Sequence, residues 1–242
     1  VAAMPADGGR EAERVFERVT FLADTAARFA TGDADRAPLV ALARRAETAL
    51  VGRNAAYLLA KTRSTLGRTL YSAATSAKDA DLMAESVAAY RAALVPEARD
   101  NPNPIWANIQ GNLGLALDQL AAMTGNAAFR LEAVAAWREA QPLETGEETW
   151  LKNQKRLAEA LDRIGTADSL REAADAWRAR AARLPGDDKA GRGADIDRAG
   201  RSLHNLWALN LPQSPAARDD AVAAYREALD LLAAAGKPVA LT

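Results

Sequence analysis

The chain has 242 residues, of which 49% are hydrophobic and only 5% aromatic. Much of the apolar fraction is alanine, which favours closely packed helices over a sheet rich in β-branched residues. The formal net charge of −1 gives no overall field that would attract nucleic acid or an anionic membrane. With no cysteine and one histidine, the composition excludes disulfides and thiolate nucleophiles, and predicts neither a metal site nor a cofactor.

The first predicted element is a degenerate helical hairpin over residues 10–51. Its second helix contains the segment from Val40 to Arg44, which lies 47 residues before a similar segment that ends in Tyr90 and Arg91. Alanine takes the place of the aromatic residue there. The region from Glu11 to Ala30 is its predicted first helix.

Four clearer hairpins are predicted at 54–95, 103–142, 147–184 and 194–235. The second helix of each has small residues followed by an aromatic residue and arginine, and the aromatic residues lie 47, 40 and 48 positions apart, at Tyr90, Trp137, Trp177 and Tyr225. Leucines mark the first helices at spacings of 47, 44 and 46, at Leu66, Leu113, Leu157 and Leu203. Because the leucines and the aromatic residues recur at similar intervals, they predict a repeated pair of helices. Because one hairpin cannot bury both of its faces, neighbouring hairpins must stack.

The segments from Asn112 to Leu117 and from Ala133 to Ala140 resemble tetratricopeptide repeats (TPR), and more closely the long-repeat bacterial and kinesin-light-chain-like varieties. The resemblance covers about residues 54–235. It implies one all-α domain over 1–242, a right-handed α-solenoid of about five TPR-like hairpins. The concave surface of such a solenoid is lined mostly by first helices, so a groove is expected.

Candidate groove residues lie five and one positions before each marker leucine, because this spacing puts two side chains on one helix face. All eight are polar and none is acidic: Lys61, Thr65, Asn108, Asn112, Lys152, Arg156, Arg198 and Ser202. The set resembles the carboxylate clamp with which some TPR domains hold a C-terminal peptide acid, although Thr65 stands where asparagine is usual. Amides and cations that converge in a groove form charge-assisted hydrogen bonds to a carboxylate. The alternative interpretation is an ordinary solvated helix face.

Two carboxylates and the single histidine are weaker candidates. Asp118 and Asp162 occupy the same place in adjacent first helices and could act as an acid–base pair, but solvated pairing with Arg163 or Lys155 is favoured. His204 stands where other repeats have glycine or alanine, so it either adjusts the packing of the last hairpin or points into the groove.

The function predicted from these patterns is a protein-interaction module that binds a peptide or partner segment, acidic or C-terminal, in the groove. The alternative is a structural subunit that self-assembles through an uncapped C-terminal edge, and an α/α enzyme is less favoured, so no catalytic residue is assigned. No segment has the length of a membrane span and no secretory signal is visible, which favours a cytoplasmic protein without membrane insertion. Because the chain starts at Val1, a leader that has been removed or further domains of a longer chain are alternatives. A homo-oligomer is a separate alternative.

Overall fold

The computed structural model describes residues 56–96, 105–212 and 214–236, together with isolated positions between 14 and 48. The described ranges are helical, without a β-strand. Their helices are α1 (Ala56–Ala77), α2 (Ala80–Ala93), α3 (Ile105–Thr124), α4 (Ala127–Ala140), α5 (Glu147–Ile164), α6 (Ala167–Arg183), α7 (Lys189–Ala208) and α8 (Ser214–Ala234). A short 3₁₀ turn over Gln141–Leu143 follows α4.

The helices pair in chain order, as the repeat pattern predicts, and the all-α fold is confirmed. The last pair begins at Lys189 and not at residue 194. Most of the predicted first hairpin, 10–51, lies outside the described residues. By its internal contacts the chain divides into unit 1 (residues 1–143) and unit 2 (residues 144–242). The right-handed sense, the number of hairpins and the single domain stay predictions.

Each of the two described hairpins of unit 1, α1–α2 and α3–α4, packs a glycine of its first helix against the aromatic residue of its second. A Cβ atom on Gly67 would lie 2.9 Å from the ring of Tyr90, and one on Gly114 would lie 2.7 Å from the ring of Trp137. Trp137 is 1% exposed, and its indole Nε1 donates a hydrogen bond to the carbonyl of Gly111 at 3.1 Å. The contact between the glycine of the first helix and the aromatic residue of the second is therefore the core of these hairpins.

In unit 2 one hairpin makes this contact with alanine and the other again makes it with glycine. Ala158 on α5 shares a buried cluster with Trp177 on α6, where alanine replaces glycine. On α7 the residue against Tyr225 is Gly200, whose added Cβ would lie 2.9 Å from that ring. Sequence alignment on the leucines put His204 in this place, one helical turn too late. His204 lies exposed and packs its ring edge-on against Trp207, with centroids 5.4 Å apart.

Two short loops that reverse the chain within a hairpin have residues suited to a helix end followed by a helix start. Gly125 and Gly165 both have a φ of 72°, the left-handed conformation that ends α3 and α5. The next residues, Asn126 and Thr166, accept hydrogen bonds from backbone N–H groups in the first turns of α4 and α6. A glycine followed by a capping residue therefore lets each connection stay two residues long.

Successive hairpins of unit 1 are joined by an ion pair that repeats. Arg44 pairs with Glu85, and Arg91 on α2 pairs with Glu132 on α4. Both pairs span 41 residues, and each joins the arginine of one aromatic segment, or its degenerate copy, to the glutamate just before the next. These pairs are half exposed, so they specify the stacking register more than they stabilise it.

We expect Gly114→Ala to lower the free energy of unfolding by about 1–3 kcal/mol, because the new methyl group would overlap a buried indole ring. The better helix propensity of alanine, worth about 1 kcal/mol, offsets only part of this cost. Gly186→Ala is the control, since nothing lies within 4 Å of an added Cβ at that turn. Urea unfolding followed by far-UV circular dichroism measures both. A Gly114→Ala protein as stable as the Gly186→Ala protein would contradict the close approach.

Candidate peptide-binding cleft

Helices α1 and α3, the first helices of the two described hairpins of unit 1, line a cleft of about 290 Å³. Four of the predicted groove residues meet there: Lys61, Thr65, Asn108 and Asn112. The cleft is also lined by Ser64, Arg68 and Ile105. These three residues are not among the predicted ones, although each shares a helical spacing with them. Ser64 and Arg68 lie three and seven positions after Lys61 on α1, and Asn108 lies three after Ile105 on α3.

The chemistry of the cleft is cationic and amide-rich above one apolar residue. Lys61 and Arg68 supply positive charge, while Asn108 and Asn112 supply amide N–H donors, and no acidic side chain is among the lining residues. Ile105 is 8% exposed and forms the apolar part of the surface. This combination suits a ligand with an anionic end and a short apolar side chain.

An aromatic ring lies next to Lys61, and the charge of Arg68 acts on the hydroxyl of Tyr90. The Nζ atom of Lys61 lies 5.3 Å from the centroid of the Tyr57 ring, within the range of a cation–π contact. Burial raises the pKa of Tyr90, and the positive charge of Arg68 opposes that rise. Tyr90 therefore stays protonated at neutral pH, and the positive charge of Arg68 is not cancelled by a tyrosinate.

The predicted residues of α5 in unit 2 have acidic neighbours. Lys152 donates to Glu148 at 2.6 Å, and this hydrogen bond lowers the pKa of Glu148. Arg156 donates to the side-chain oxygen of Asn153 at 3.2 Å, and Asn153 in turn donates to Glu144. Burial raises the pKa of Glu144, against the hydrogen bond from Asn153 and the charge of Arg156. The positive charge on this face is therefore largely balanced within the unit.

The predicted residues of α7 take part in packing. Ser202 is 1% exposed, and its hydroxyl donates to Asp162 at 2.6 Å. Arg198 donates to Asp195 at 3.1 Å and lies over the ring of Trp177, 4.8 Å from its centroid. Ser202 is thus buried between helices, where its hydroxyl contacts Asp162.

The two carboxylates considered as an acid–base pair have structural partners. Asp118 accepts a hydrogen bond from Arg130 at 3.1 Å, which joins α3 to α4. Asp162 accepts from the indole of Trp177 at 3.0 Å and from Ser202, and so holds α6 and α7 against α5. Both carboxylates therefore anchor helices, a role that sequence spacing alone does not reveal.

The described part of the chain shows neither a metal-binding group nor a membrane-spanning helix. No group of three or more histidine, cysteine, aspartate or glutamate side chains is placed to hold a metal ion among those residues. None of the helices they form combines the length and apolar character needed to cross a bilayer.

The fold is similar to that of solved TPR-like repeat proteins. One match is the crystal structure of a protein described as a kinesin light chain of Podosopora anserina, with nearly identical TPR-like repeats: 17% identity, TM-score 0.56, 92% of this chain and 99% of that chain. A single-residue variant of it matches at 16% identity with the same TM-score, over 91% of this chain and 97% of that chain. No protein-family model and no curated protein matches. The chain therefore has the fold of a TPR-like helical-repeat protein, as the repeat motifs predict.

Proposed function

We propose that the chain is a protein-interaction module and that the cleft of unit 1 binds a partner peptide through its C-terminal carboxylate. The observation that carries the proposal is the meeting of Lys61, Thr65, Asn108 and Asn112 with Arg68 around one cleft. Two cations and two amides can surround a carboxylate with charge-assisted hydrogen bonds, which are about twice as strong as neutral ones. Binding would be reversible docking on a preformed surface, without a chemical step.

The apolar part of the cleft supports a peptide more than a small inorganic anion. Ile105 lies on α3 beside the polar residues, so an apolar side chain near the peptide terminus could pack there while the carboxylate meets the cations. The volume of about 290 Å³ is near the lower end of the range for ligand pockets, about 300–1,000 Å³, and holds one or two residues. The predicted contacts of Lys152, Arg156, Arg198 and Ser202 stay predictions and are not needed for this site.

The test uses short random-sequence peptides, made once with a free C-terminal carboxylate and once as the C-terminal amide. Retention on the immobilised protein is compared between the two pools. We expect the free acids to be retained preferentially. Asn112→Asp places a negative charge in the cleft with almost no change in volume, so it should reduce retention of the acids by at least about tenfold. Lys61→Met should reduce it in the same direction.

Two control variants make the same chemical changes away from the cleft. Asn205→Asp adds a charge on the exposed surface of α7, and Lys155→Met removes a lysine that pairs with Glu159 at 3.7 Å on α5. Both should retain the free acids as the wild type does. Equal retention of acids and amides by the wild type, or equal retention by Asn112→Asp and Asn205→Asp, would refute the site. Peptides that bind only through internal aspartate or glutamate would appear in both pools and would also refute it.

A further inference from the structure

The outer face of α8 exposes a residue that the corresponding helices bury. Val222 begins the aromatic segment of the last hairpin and is 42% exposed. Val87 and Val134 hold the same place in their segments and are 2% and 3% exposed. The motif is the same, so the difference lies in what covers the helix.

In unit 1 the residue four positions after this valine completes a contact between hairpins. Arg91 follows Val87 by four residues and pairs with Glu132 of the next hairpin. On α8 the corresponding residue is Arg226, which is exposed. Val222 and Arg226 therefore repeat the surface with which a hairpin of unit 1 joins its neighbour.

The charges along this face are complementary to those on the same face of a second, antiparallel copy. Asp219, Val222, Ala223 and Arg226 are all exposed and follow the spacing i, i+3, i+4, i+7, which puts them on one stripe of α8. The stripe is acidic at one end, basic at the other and apolar between. When two copies cross antiparallel at Val222 and Ala223, each Asp219 lies opposite Arg226 of the other copy. A parallel crossing would instead put like charges together.

One local ion pair involves this stripe. Arg218 donates to Asp219 at 3.1 Å, with both side chains well exposed. An exposed pair of this kind contributes little, so it leaves Asp219 able to meet an arginine of another chain.

We propose that this stripe of α8, formed by Asp219, Val222, Ala223 and Arg226, binds a second copy of the chain in an antiparallel, two-fold symmetric contact. Such a contact uses the same surface on both copies, so assembly stops at a dimer. The contact is independent of the cleft in unit 1.

The experiment is sedimentation equilibrium of the full chain from low micromolar to about 1 mM concentration. Wild type should pass from monomer to dimer with no larger species. Arg226→Glu and Asp219→Arg each put like charges opposite each other twice, so each should raise the dissociation constant of the dimer at least about tenfold. Because both positions are exposed, the far-UV circular dichroism of the single variants should match the wild type.

Charge exchange tests the antiparallel pairing itself. The double variant Asp219→Arg/Arg226→Glu restores opposite charges at both contacts, so its dimer should be about as tight as the wild-type dimer. A mixture of the two single variants should form a heterodimer for the same reason. A wild type that stays monomeric, a mass that keeps rising beyond two chains, or a double variant no tighter than its singles would each overturn the proposal.

Discussion

Replacing Trp137 with alanine should lower the free energy of unfolding by about 4 kcal/mol, because it removes one of the largest fully buried side chains in the described residues. The ring lies against Gly114, and its Nε1 atom donates to Gly111. Alanine leaves a cavity that rigid helices cannot close. Urea unfolding gives the total loss, and hydrogen exchange should place it in α3 and α4, because repeat hairpins depend mainly on their neighbours.

Two further variants separate burial from the general loss of an indole ring. Trp207→Ala removes the same side chain where it is 40% exposed, and should cost about 1 kcal/mol or less. Trp137→Phe keeps most of the apolar area and loses the hydrogen bond to Gly111, so its cost should be intermediate. Equal losses for Trp137→Ala and Trp207→Ala would mean that the hairpin core is not where the structure places it.

The fold was predictable because close helix packing needs a small residue opposite a large one, and this pairing recurs at nearly constant distance. The contacts of Gly67 with Tyr90 and of Gly114 with Trp137 join the residue after each marker leucine to the aromatic residue of the same repeat. In the last hairpin the prediction missed by one turn. Gly200 and His204 are four residues apart on one helix face, so periodicity cannot choose between them. Which of the two faces the ring depends on the length of the connection to Tyr225, and helical periodicity does not give that length.

The candidate site was predictable in unit 1 and much less so in unit 2. Pairs such as Asn108 and Asn112 share a face because of helix geometry alone, and the structure puts them in the cleft. Ser202 follows the same rule, yet it is buried by a hydrogen bond to Asp162, which lies 40 residues earlier in the sequence. Helical spacing tells which residues share a face. It does not tell whether a carboxylate of a neighbouring helix binds the side chains on that face and so buries them.

Replacing Asp195 with alanine should destabilise unit 2 by about 3 kcal/mol, the second large effect that we expect. Asp195 on α7 is 0% exposed and accepts hydrogen bonds from Arg180 and Arg198. The Nε atom of Arg180 also donates to the carbonyl of Leu151 at 3.0 Å, so this arginine links α5, α6 and α7. Alanine would leave the guanidinium of Arg180, whose side chain is 19% exposed, without its carboxylate. Urea unfolding measures the loss.

The neutral variant Asp195→Asn shows whether the contribution of Asp195 to stability comes from its hydrogen bonds or from its charge. Burial raises the pKa of Asp195, against the opposing charges of Arg180 and Arg198, so ionisation of this carboxyl is less favourable in the folded state than in the unfolded chain. Asp195→Asn should therefore cost only about 1 kcal/mol. Relative to this variant, the wild type should lose stability as pH rises through the raised pKa. Asp197→Ala is the control, since its pair with Arg201 at 2.8 Å lies at the surface of the same helix. If Asp195→Asn cost as much as Asp195→Ala, the carboxylate charge would be what holds the three helices together.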